Sequence, residues 1–329
     1  MITLFNNRRK YFQPVVKDIT GVWAPFDMAK SSHVASAQLT DSDAAANPGA
    51  VICSSMKPLP DGSLLIGASK NQAVYVWKFA KQHSFEVSRF NAYYHSRLNS
   101  LLYTNGFFND DGTAYYGGYS TGFVAQRWPI TSEPYTFTKT GTAVEFLERS
   151  ALLVKPQLCW ITPDGKSMFY KENETWGGSI YKVDFGKPWP SNSYHGNSSS
   201  SSDVYLGDCY PWNVSSFTFR DFNEKVGGVS MTYWNGFAFS PDGLAMVATT
   251  HSGSGTTAND YAVKFTLSTA FDLSTLEFDS CRRLNDDFAT DGKDYATAIA
   301  VNDAGTKMII FNGNSTSTEN KFHEYDLTA

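Results

Sequence analysis

The sequence has 329 residues, of which 42% are apolar, 15% aromatic and only 18% charged, and its formal net charge is −5. This composition supplies a packed core, favours strands and turns over solvated helices, and argues against the basic surface of a nucleic-acid-binding protein. No stretch reaches the length of a membrane span, and the N-terminal stretch MITLFNNRRKYFQPVV lacks the apolar core of a signal peptide.

Five turns of the Asp-Gly type punctuate the chain, and each is flanked by two apolar, strand-like runs. Such turns tolerate positive φ and join antiparallel strands. They lie at Asp61-Gly62, Asp111-Gly112, Asp164-Gly165, Asp242-Gly243 and, as a variant, Asp303-Ala304-Gly305. The strands that precede these turns are predicted at residues 50–54, 106–108, 158–161, 236–240 and 297–301.

A third strand with alternating polar and apolar residues follows each turn. These strands are predicted at residues 73–80, 123–131, 179–186, 261–269 and 321–329. A weaker fourth strand is predicted in the first four units, at FEVSRF, YTFTKT and LEFDSC, with DVYLGDC and FTFRDF both open for the third unit. The stretch TAVEFLERSALLV, residues 142–154, is the one predicted short helix.

Four antiparallel strands repeated at this spacing are typical of propeller blades. The sequence therefore predicts an all-β fold, a single β-propeller of five four-stranded blades, with residues 1–329 as one domain and residues 50–329 as five repeat units.

The fifth unit lacks a fourth strand after residue 329. Because an end blade otherwise exposes a strand edge, we expect an N-terminal strand to close it. We predict this closing strand in residues 1–17, within residues 2–16, while residues 18–49 are either a surface excursion or a degenerate sixth blade. A three-stranded last blade with a free N-terminal arm is the alternative.

The fourth unit, with FAFSPDGLAMVATT followed by DYAVKFTLSTAFDLSTLEFDS, resembles a propeller-type repeat of tailed bacteriophages and environmental bacteria. In that family an SPDGTKMYV-like hairpin precedes a VYQYTLSTAWDLSTA-like strand. NDAGTKMIIF and HEYDLTA in the fifth unit are similar, whereas the first three units match mainly at their turns. The resemblance implies a structural or tail-associated protein of the virion rather than an enzyme.

Residues that could carry chemistry do not form a motif. The repeated aspartates are explained by their turns. A glycosidase needs a carboxylate pair, and Glu145, Glu172 and Glu174 depart from the repeat without a surrounding motif. The six histidines form neither HxH nor HExxH, so no metal and no cofactor is predicted. The loop with Asp286, Asp287, Asp291 and Asp294 is either a solvated acidic loop or an ion site.

Aromatic residues near predicted loops are the candidate contacts for a protein partner or a glycan, although core packing uses the same residue types. They are Trp176, an aromatic contact at position 188 in the stretch KPWP (Pro188-Trp189), Tyr194, Tyr210, Trp212, Tyr233 and Trp234. The long segments 187–203 and 18–49 are further candidates for docking.

The sequence hypothesis is thus a non-enzymatic virion protein, tail-associated or involved in adsorption. It is made in a reducing host cytoplasm, consistent with Cys53, Cys159, Cys209 and Cys281 as free thiols. Its expected partners are other virion proteins, in several symmetric copies, with a host surface glycan as a further candidate and with neither nucleic acid nor membrane insertion. The alternative is a propeller that binds or cleaves glycans.

Overall fold

The computed structural model describes the strand-forming parts of the chain and the turns that join several of them. The described residues are 22–38, 53–68, 73–79, 84–87, 93–99, 107–108, 112–119, 124–131, 133–137, 140–141, 144–147, 156–162, 166–172, 179–184, 213–218, 233–252, 259–288, 295–313 and 321–328.

Nearly all regular structure in these residues is β. Strand β1 is Ser32–Gln38. Sheet 1 contains β2 (Cys53–Pro58), β3 (Leu64–Ala68), β4 (Ala73–Lys78) and β5 (Tyr93–Asn99). Sheet 2 contains β6 (Phe107–Phe108), β7 (Ala114–Tyr119), β8 (Val124–Pro129) and β9 (Val144–Leu147). Sheet 3 contains β10 (Pro156–Ile161), β11 (Ser167–Glu172), β12 (Ser179–Asp184) and β13 (Asn213–Thr218).

Sheet 4 contains β14 (Tyr233–Phe239), β15 (Ala245–Ser252), β16 (Asn259–Leu267) and β17 (Leu276–Arg283). Sheet 5 contains β18 (Tyr295–Val301), β19 (Lys307–Gly313) and β20 (Lys321–Asp326), together with β1. Sheets 1 to 4 each pair their strands in chain order, whereas sheet 5 has the order β1-β20-β19-β18. Every pairing is antiparallel, so the predicted all-β class is confirmed.

The turn glycines of four units are described, and each has the backbone conformation that the sequence predicts. Gly62, Gly112, Gly243 and Gly305 have positive φ. The Asp61 carboxylate accepts the backbone N–H of Ser63 at 3.0 Å, and the Asp242 carboxylate accepts that of Leu244 at 3.1 Å. In the variant turn this acceptor is supplied by the Asn302 side-chain oxygen, 2.9 Å from Thr306 N. Asp111 and Asp164 lie outside the described residues.

An aromatic side chain covers the turn glycine in several units. A Cβ on Gly243 would lie 2.5 Å from the Phe271 ring, and one on Gly112 would lie 2.7 Å from Tyr135. Phe271 and Tyr135 themselves have positive φ, and their backbone N–H groups donate to the carbonyls of Gly243 and Gly112 at 3.0 and 3.1 Å. This pairing leaves no local pattern in the sequence, because 23 to 28 residues separate the partners.

The core lies between neighbouring sheets. Residues from sheets 1 and 2 form one cluster around Tyr115, and residues from sheets 5 and 1 form another around Phe311. Sheets 3 and 4 share a cluster around Phe239, and sheets 4 and 5 share one around Ile310. Among the described residues, four pairs of neighbouring sheets therefore bury apolar side chains against each other.

One edge strand of each sheet contacts an edge strand of another sheet, and these strands are β2, β6, β10, β14 and β18. Strand β18 contacts both β14 and β2. The two strands β14 and β18 approach so closely that a Cβ on Gly236 would lie 2.8 Å from Ala298 Cα. Register shifts interrupt the pairing of β2, β10, β14 and β18 with their neighbours. Such bulges bend a strand, and here they recur at similar positions in four sheets.

The predicted fourth strands need correction in three units. LEFDSC is confirmed within β17, but the fourth strand of sheet 1 is β5 rather than FEVSRF, and that of sheet 2 is β9 rather than YTFTKT. The fourth strand of sheet 3, Asn213–Thr218, shares two residues with FTFRDF and none with DVYLGDC. The helix predicted at residues 142–154 is wrong where it is described, because Val144–Leu147 is a strand paired with β8.

The N-terminal partner of the last sheet also lies elsewhere than predicted. Residues 2–16 are outside the described residues, and β20 pairs instead with β1, from Ser32↔Asp326 to Gln38↔Lys321. Strand β1 lies in the segment predicted as an excursion or degenerate blade. Sheet 5 therefore contains an N-terminal strand next to β20, at a later position in the chain than the predicted residues 1–17.

Candidate functional site

The joint between sheets 4 and 5 concentrates the buried polar groups that the structure describes, and residues 22–31 run through it. Trp23 covers Gly305, where a Cβ would lie 2.5 Å from the Trp23 Cβ. The Ala24 N–H donates to the Ala304 carbonyl at 3.0 Å. Phe26 and Met28 are buried in the cluster shared by the two sheets. The segment that leads into β1 is thus built into the core.

This N-terminal segment repeats a turn found in the fourth unit. Asp27 caps a short 3-10 helix, Met28–Lys30, by accepting the Ala29 N–H at 3.0 Å. Asp272 caps the equivalent helix, Leu273–Thr275, by accepting the Ser274 N–H at 3.0 Å. In both, a strand follows. FDMAK and FDLST are therefore the sequence signal that could have located the closing strand.

Lys264 fastens the N-terminal segment to sheet 4. Its side chain is buried, and Nζ donates to the Phe26 carbonyl at 2.5 Å and lies 3.1 Å from an Asp279 carboxylate oxygen. The ammonium group also lies 4.5 Å from the centre of the Phe26 ring, within the range of a cation–π contact. The Met28 N–H donates to Ser280 Oγ at 2.9 Å.

Arg282, on β17, makes a similar contact with a backbone carbonyl later in the N-terminal segment. Its guanidinium donates to the Ser31 carbonyl and pairs with the Asp287 carboxylate at 3.0 Å. It also lies 5.4 Å from the centre of the Tyr325 ring. Burial raises the pKa of the Tyr325 hydroxyl, and the negative charge of Asp287 raises it further.

His251 and Asp260 form a buried pair at the opposite end of sheet 4. Their Nδ1 and Oδ1 atoms are 2.9 Å apart, and the Tyr295 ring packs edge-on against the imidazole at 4.1 Å. Burial raises the pKa of Asp260, and the hydrogen bond from His251 offsets part of that rise. The Ala296 N–H, in the first strand of sheet 5, lies 3.5 Å from Asp260 Oδ1. The pair therefore links two sheets.

Glu324 makes the equivalent link between sheets 5 and 1. It is buried, one carboxylate oxygen accepts the Val87 N–H at 2.8 Å, and the other lies 2.7 Å from Lys307 Nζ. The carboxylate thus satisfies a backbone donor in the neighbouring sheet and is itself neutralised, which is the condition under which a buried charge is tolerated.

Two histidines meet where β1 pairs with β20. Ser36 Oγ lies 2.9 Å from both His33 Nε2 and His323 Nδ1, and the two nitrogens are 3.5 Å apart. His323 is buried, with the Phe288 ring 4.8 Å away. Its burial, assisted by His33 and Lys321, lowers its pKa from 6.5 to about 3, so its imidazole is neutral near pH 7.

The predicted contact residues are only partly placed. Trp234 is buried and packs against Phe265 with ring centres 5.8 Å apart, which is the core alternative that the sequence left open. Tyr233 begins strand β14. The other five aromatic candidates, like segment 187–203, lie outside the described residues: Trp176, Trp189, Tyr194, Tyr210 and Trp212.

The aromatic contact expected at position 188 needs a correction. The residue at position 188 is Pro188, and the tryptophan of KPWP is its neighbour, Trp189. A proline ring has no π-system with which to stack on a sugar or a guanidinium group. Pro188 therefore cannot make an aromatic contact, and Trp189 is the candidate in this stretch.

The four aspartates of the acidic loop are also only partly described. Asp287 is engaged by Arg282, whereas Asp286 is exposed at the surface and Asp291 and Asp294 lie outside the described residues. Glu145 and Glu172 lie on β9 and β11, and Glu174 is not described. Within the described chain, no group of three or more His, Cys, Asp or Glu side chains is arranged to hold a metal ion.

Cys281 is a free thiol on β17, and partial burial raises its pKa, which disfavours the reactive thiolate. Helices with the length and apolar character of a membrane span do not occur in the part of the chain that is described.

No protein-family model matches this chain, and no curated protein does so either. Among solved structures, the β-propeller domain of Cps50 (Swd1) from Myceliophteria thermophila is similar, with 10% sequence identity and a TM-score of 0.42 over 84% of this chain and 82% of that domain. A protein from Lactobacillus plantarum is similar with 11% identity and a TM-score of 0.35, over 79% of this chain and 64% of its own length. Both likenesses concern the fold alone.

Proposed function

We propose that the five sheets are the blades of one closed β-propeller. Strand β18 contacts the first strands of both sheet 4 and sheet 1, and shared cores join sheets 1 and 2, 3 and 4, 4 and 5, and 5 and 1. Strand β10 contacts β6 and β7, which adds the neighbour relation of sheets 2 and 3. These contacts support a ring in which β1 supplies the outer strand of the last blade.

We further propose that the chain is a non-enzymatic structural protein of a tailed-phage virion, tail-associated or involved in adsorption. One observation carries the non-enzymatic part. Among the described residues, the buried charged groups Lys264, Asp260 and Glu324 are each engaged in joining one sheet or segment to another. Catalytic acids and bases instead face a cleft, where they can reach the proton of a bound substrate. The virion part rests on the resemblance of the fourth unit to phage repeat proteins.

As a virion component, the protein acts as a scaffold that binds other virion proteins in several symmetric copies, after synthesis in the host cytoplasm. The packing of the N-terminal segment bears on where we propose that such partners dock. Residues 22–38 pack against sheets 4 and 5 or pair with β20. We therefore no longer propose them as a docking segment. Segment 187–203 and the aromatic residues beside it remain as the proposed contact region.

The test is to raise antibodies against the purified chain and to analyse gradient-purified phage particles from a culture that encodes it. We expect the protein to comigrate with capsid and tail proteins and to be cross-linked to them. If it stays with the soluble fraction at all salt concentrations, the virion proposal is wrong.

A glycan screen distinguishes the alternative. The purified protein should neither bind a panel of bacterial surface polysaccharides nor release reducing ends from them. Saturable binding or hydrolysis that is lost on substitution of an aromatic residue such as Trp212 would instead establish the glycan-directed function.

A further inference from the structure

The cluster of His33, Ser36 and His323 has the geometry of a metal site that no motif in the sequence indicates. His33 and Ser36 lie on β1, whereas His323 lies on β20, 287 positions from Ser36 in the chain. Only the antiparallel pairing Ser36↔His323 brings them together. Local motifs such as HxH and HExxH cannot reveal this pair, because the two histidines are 290 positions apart in the chain.

The distances suit a small divalent cation. Two nitrogen ligands at 2.0–2.1 Å from a tetrahedral zinc ion are about 3.3 Å apart. His33 Nε2 and His323 Nδ1 are 3.5 Å apart, and Ser36 Oγ lies 2.9 Å from each. The three distances match the separations expected between ligand atoms that share one small cation.

The hydrogen-bonding groups of His323 also suit a cation. A neutral imidazole has one lone pair and one N–H. The Nδ1 atom of His323 faces Ser36 and His33, and its Nε2 atom is buried without a hydrogen-bond partner among the described residues. A metal ion at Nδ1 places the proton on Nε2. Because nothing described accepts that proton and fixes the tautomer, we expect modest affinity.

We propose that His33 Nε2 and His323 Nδ1, with Ser36 Oγ beside them, bind one borderline divalent cation such as Zn²⁺ and thereby tie β1 to β20. Imidazole ligands suit Zn²⁺, Cu²⁺ and Ni²⁺, and exclude Mg²⁺ and Ca²⁺, which prefer oxygen ligands. The remaining coordination positions are filled by water, since His33 is only half-buried and Ser36 is exposed.

The bound ion would reversibly cross-link β1 and β20. The two ligand-bearing strands come from opposite ends of the described chain, so the ion binds only when β1 is paired with β20. A ligand that binds the folded state alone raises stability in proportion to the logarithm of its concentration. At a free Zn²⁺ concentration about ten times Kd, we expect the melting temperature to rise by about 2–5 °C.

The experiment is a Zn²⁺ titration of the full chain by calorimetry and by thermal melting, with His33→Gln as the test variant and His195→Gln as the matched control. We expect one saturable site in the wild type and in His195→Gln, and at least about tenfold weaker binding with no rise in melting temperature in His33→Gln. Equal binding by His33→Gln, or no saturable binding by the wild type, overturns the proposal.

A second measurement does not depend on a variant. Substoichiometric Cu²⁺ added to the wild-type chain should broaden the NMR signals of residues 33, 36 and 323 before those of other residues. Broadening that begins at another histidine, for example His251, shows that the ion binds elsewhere and contradicts the proposal.

Discussion

Single residues decide how each turn is closed. At Gly243 the backbone is left-handed and the position of a Cβ is occupied by the Phe271 ring, so two independent constraints select glycine. The Asp-Gly pattern predicted the first constraint correctly. It could not predict the second, because the aromatic residue is fixed by a contact between two distant turns and not by the local sequence.

We predict that Gly243→Ala destabilises the protein by about 2–4 kcal/mol, since it adds left-handed strain to a steric clash. Leu244→Ala is the control, because Leu244 is the neighbouring residue and is exposed. Urea unfolding measures both. A Gly243→Ala midpoint equal to that of Leu244→Ala would show that the ring moves aside without cost.

The Asp260 carboxyl group provides a pH-dependent test. Its pKa is raised in the folded chain, so between about pH 3.8 and that raised value the folded state keeps a proton that the unfolded state has lost. Stability therefore falls as the pH rises through this interval.

We predict that Asp260→Asn removes this contribution. The difference in unfolding free energy between wild type and variant should change in favour of the variant as the pH is raised from about 3.8, and should then level off. His323, whose pKa is lowered, acts in the opposite direction, but it is common to both proteins and cancels in the difference. A difference that is constant with pH contradicts the raised pKa.

Among the elements, the N-terminal segment is one that the sequence placed incorrectly. Its turn FDMAK has the same Asp cap and buried apolar residue as FDLST, but Ser32–Gln38 has less strand character than the other fourth strands and no Asp-Gly turn before it. The same weakness explains β9, where a charged, Leu-rich stretch resembles a helix until pairing with β8 determines its conformation. Strong local patterns located the first three strands of each unit, whereas tertiary pairing determined the fourth.

We predict that Lys264→Met loosens this segment and costs about 1–3 kcal/mol, because the Phe26 carbonyl and Asp279 lose their partner while the apolar stem is retained. Lys182→Met is the matched control. Lys182 lies on the third strand of sheet 3, and its ion pair with Asp184 stays within its own strand.

The readouts are urea unfolding and limited proteolysis between residues 22 and 38. Lys182→Met should cost less than about 1 kcal/mol, as exposed ion pairs do. Equal effects of the two substitutions would show that Lys264 acts as an ordinary surface charge.

At the scale of the whole molecule, the repeat predicted an all-β chain of four-stranded units, and the positions of the strands that precede the turns agree with the structure to within a few residues. The joints between sheets could not be predicted in the same way. Glu324 and Lys264 occupy ordinary strand positions in the sequence, and their partners, Val87 and Phe26, are 237 and 238 positions away.

We predict that removing residues 1–38 destabilises the protein by several kcal/mol relative to removing residues 1–21. The longer deletion takes away β1 and exposes the surface against which Trp23, Phe26 and Met28 pack, and burial of such a side chain contributes about 1.5–3 kcal/mol. Urea unfolding of the two truncated proteins measures the difference.

A synthetic peptide of residues 22–38 should restore part of the lost stability when it is added to the longer deletion. Unfolding midpoints that are equal for the two truncations, with no effect of the peptide, would mean that β1 is dispensable to the stability of sheet 5.

The pairing of β1 with β20 also sets the order of events during synthesis. Sheets 1 to 4 join strands that follow one another, so each can fold as it leaves the ribosome. Strand β1 emerges before all of them, but its partner is the last described strand to be made. Until then the apolar side chains of residues 23–28 have no core to enter, and they are exposed to chaperones and to other nascent chains. Pairing of β1 with β20 closes a loop that contains sheets 1 to 4. We expect this pairing to be the slowest step of folding, because loop closure between distant residues costs entropy.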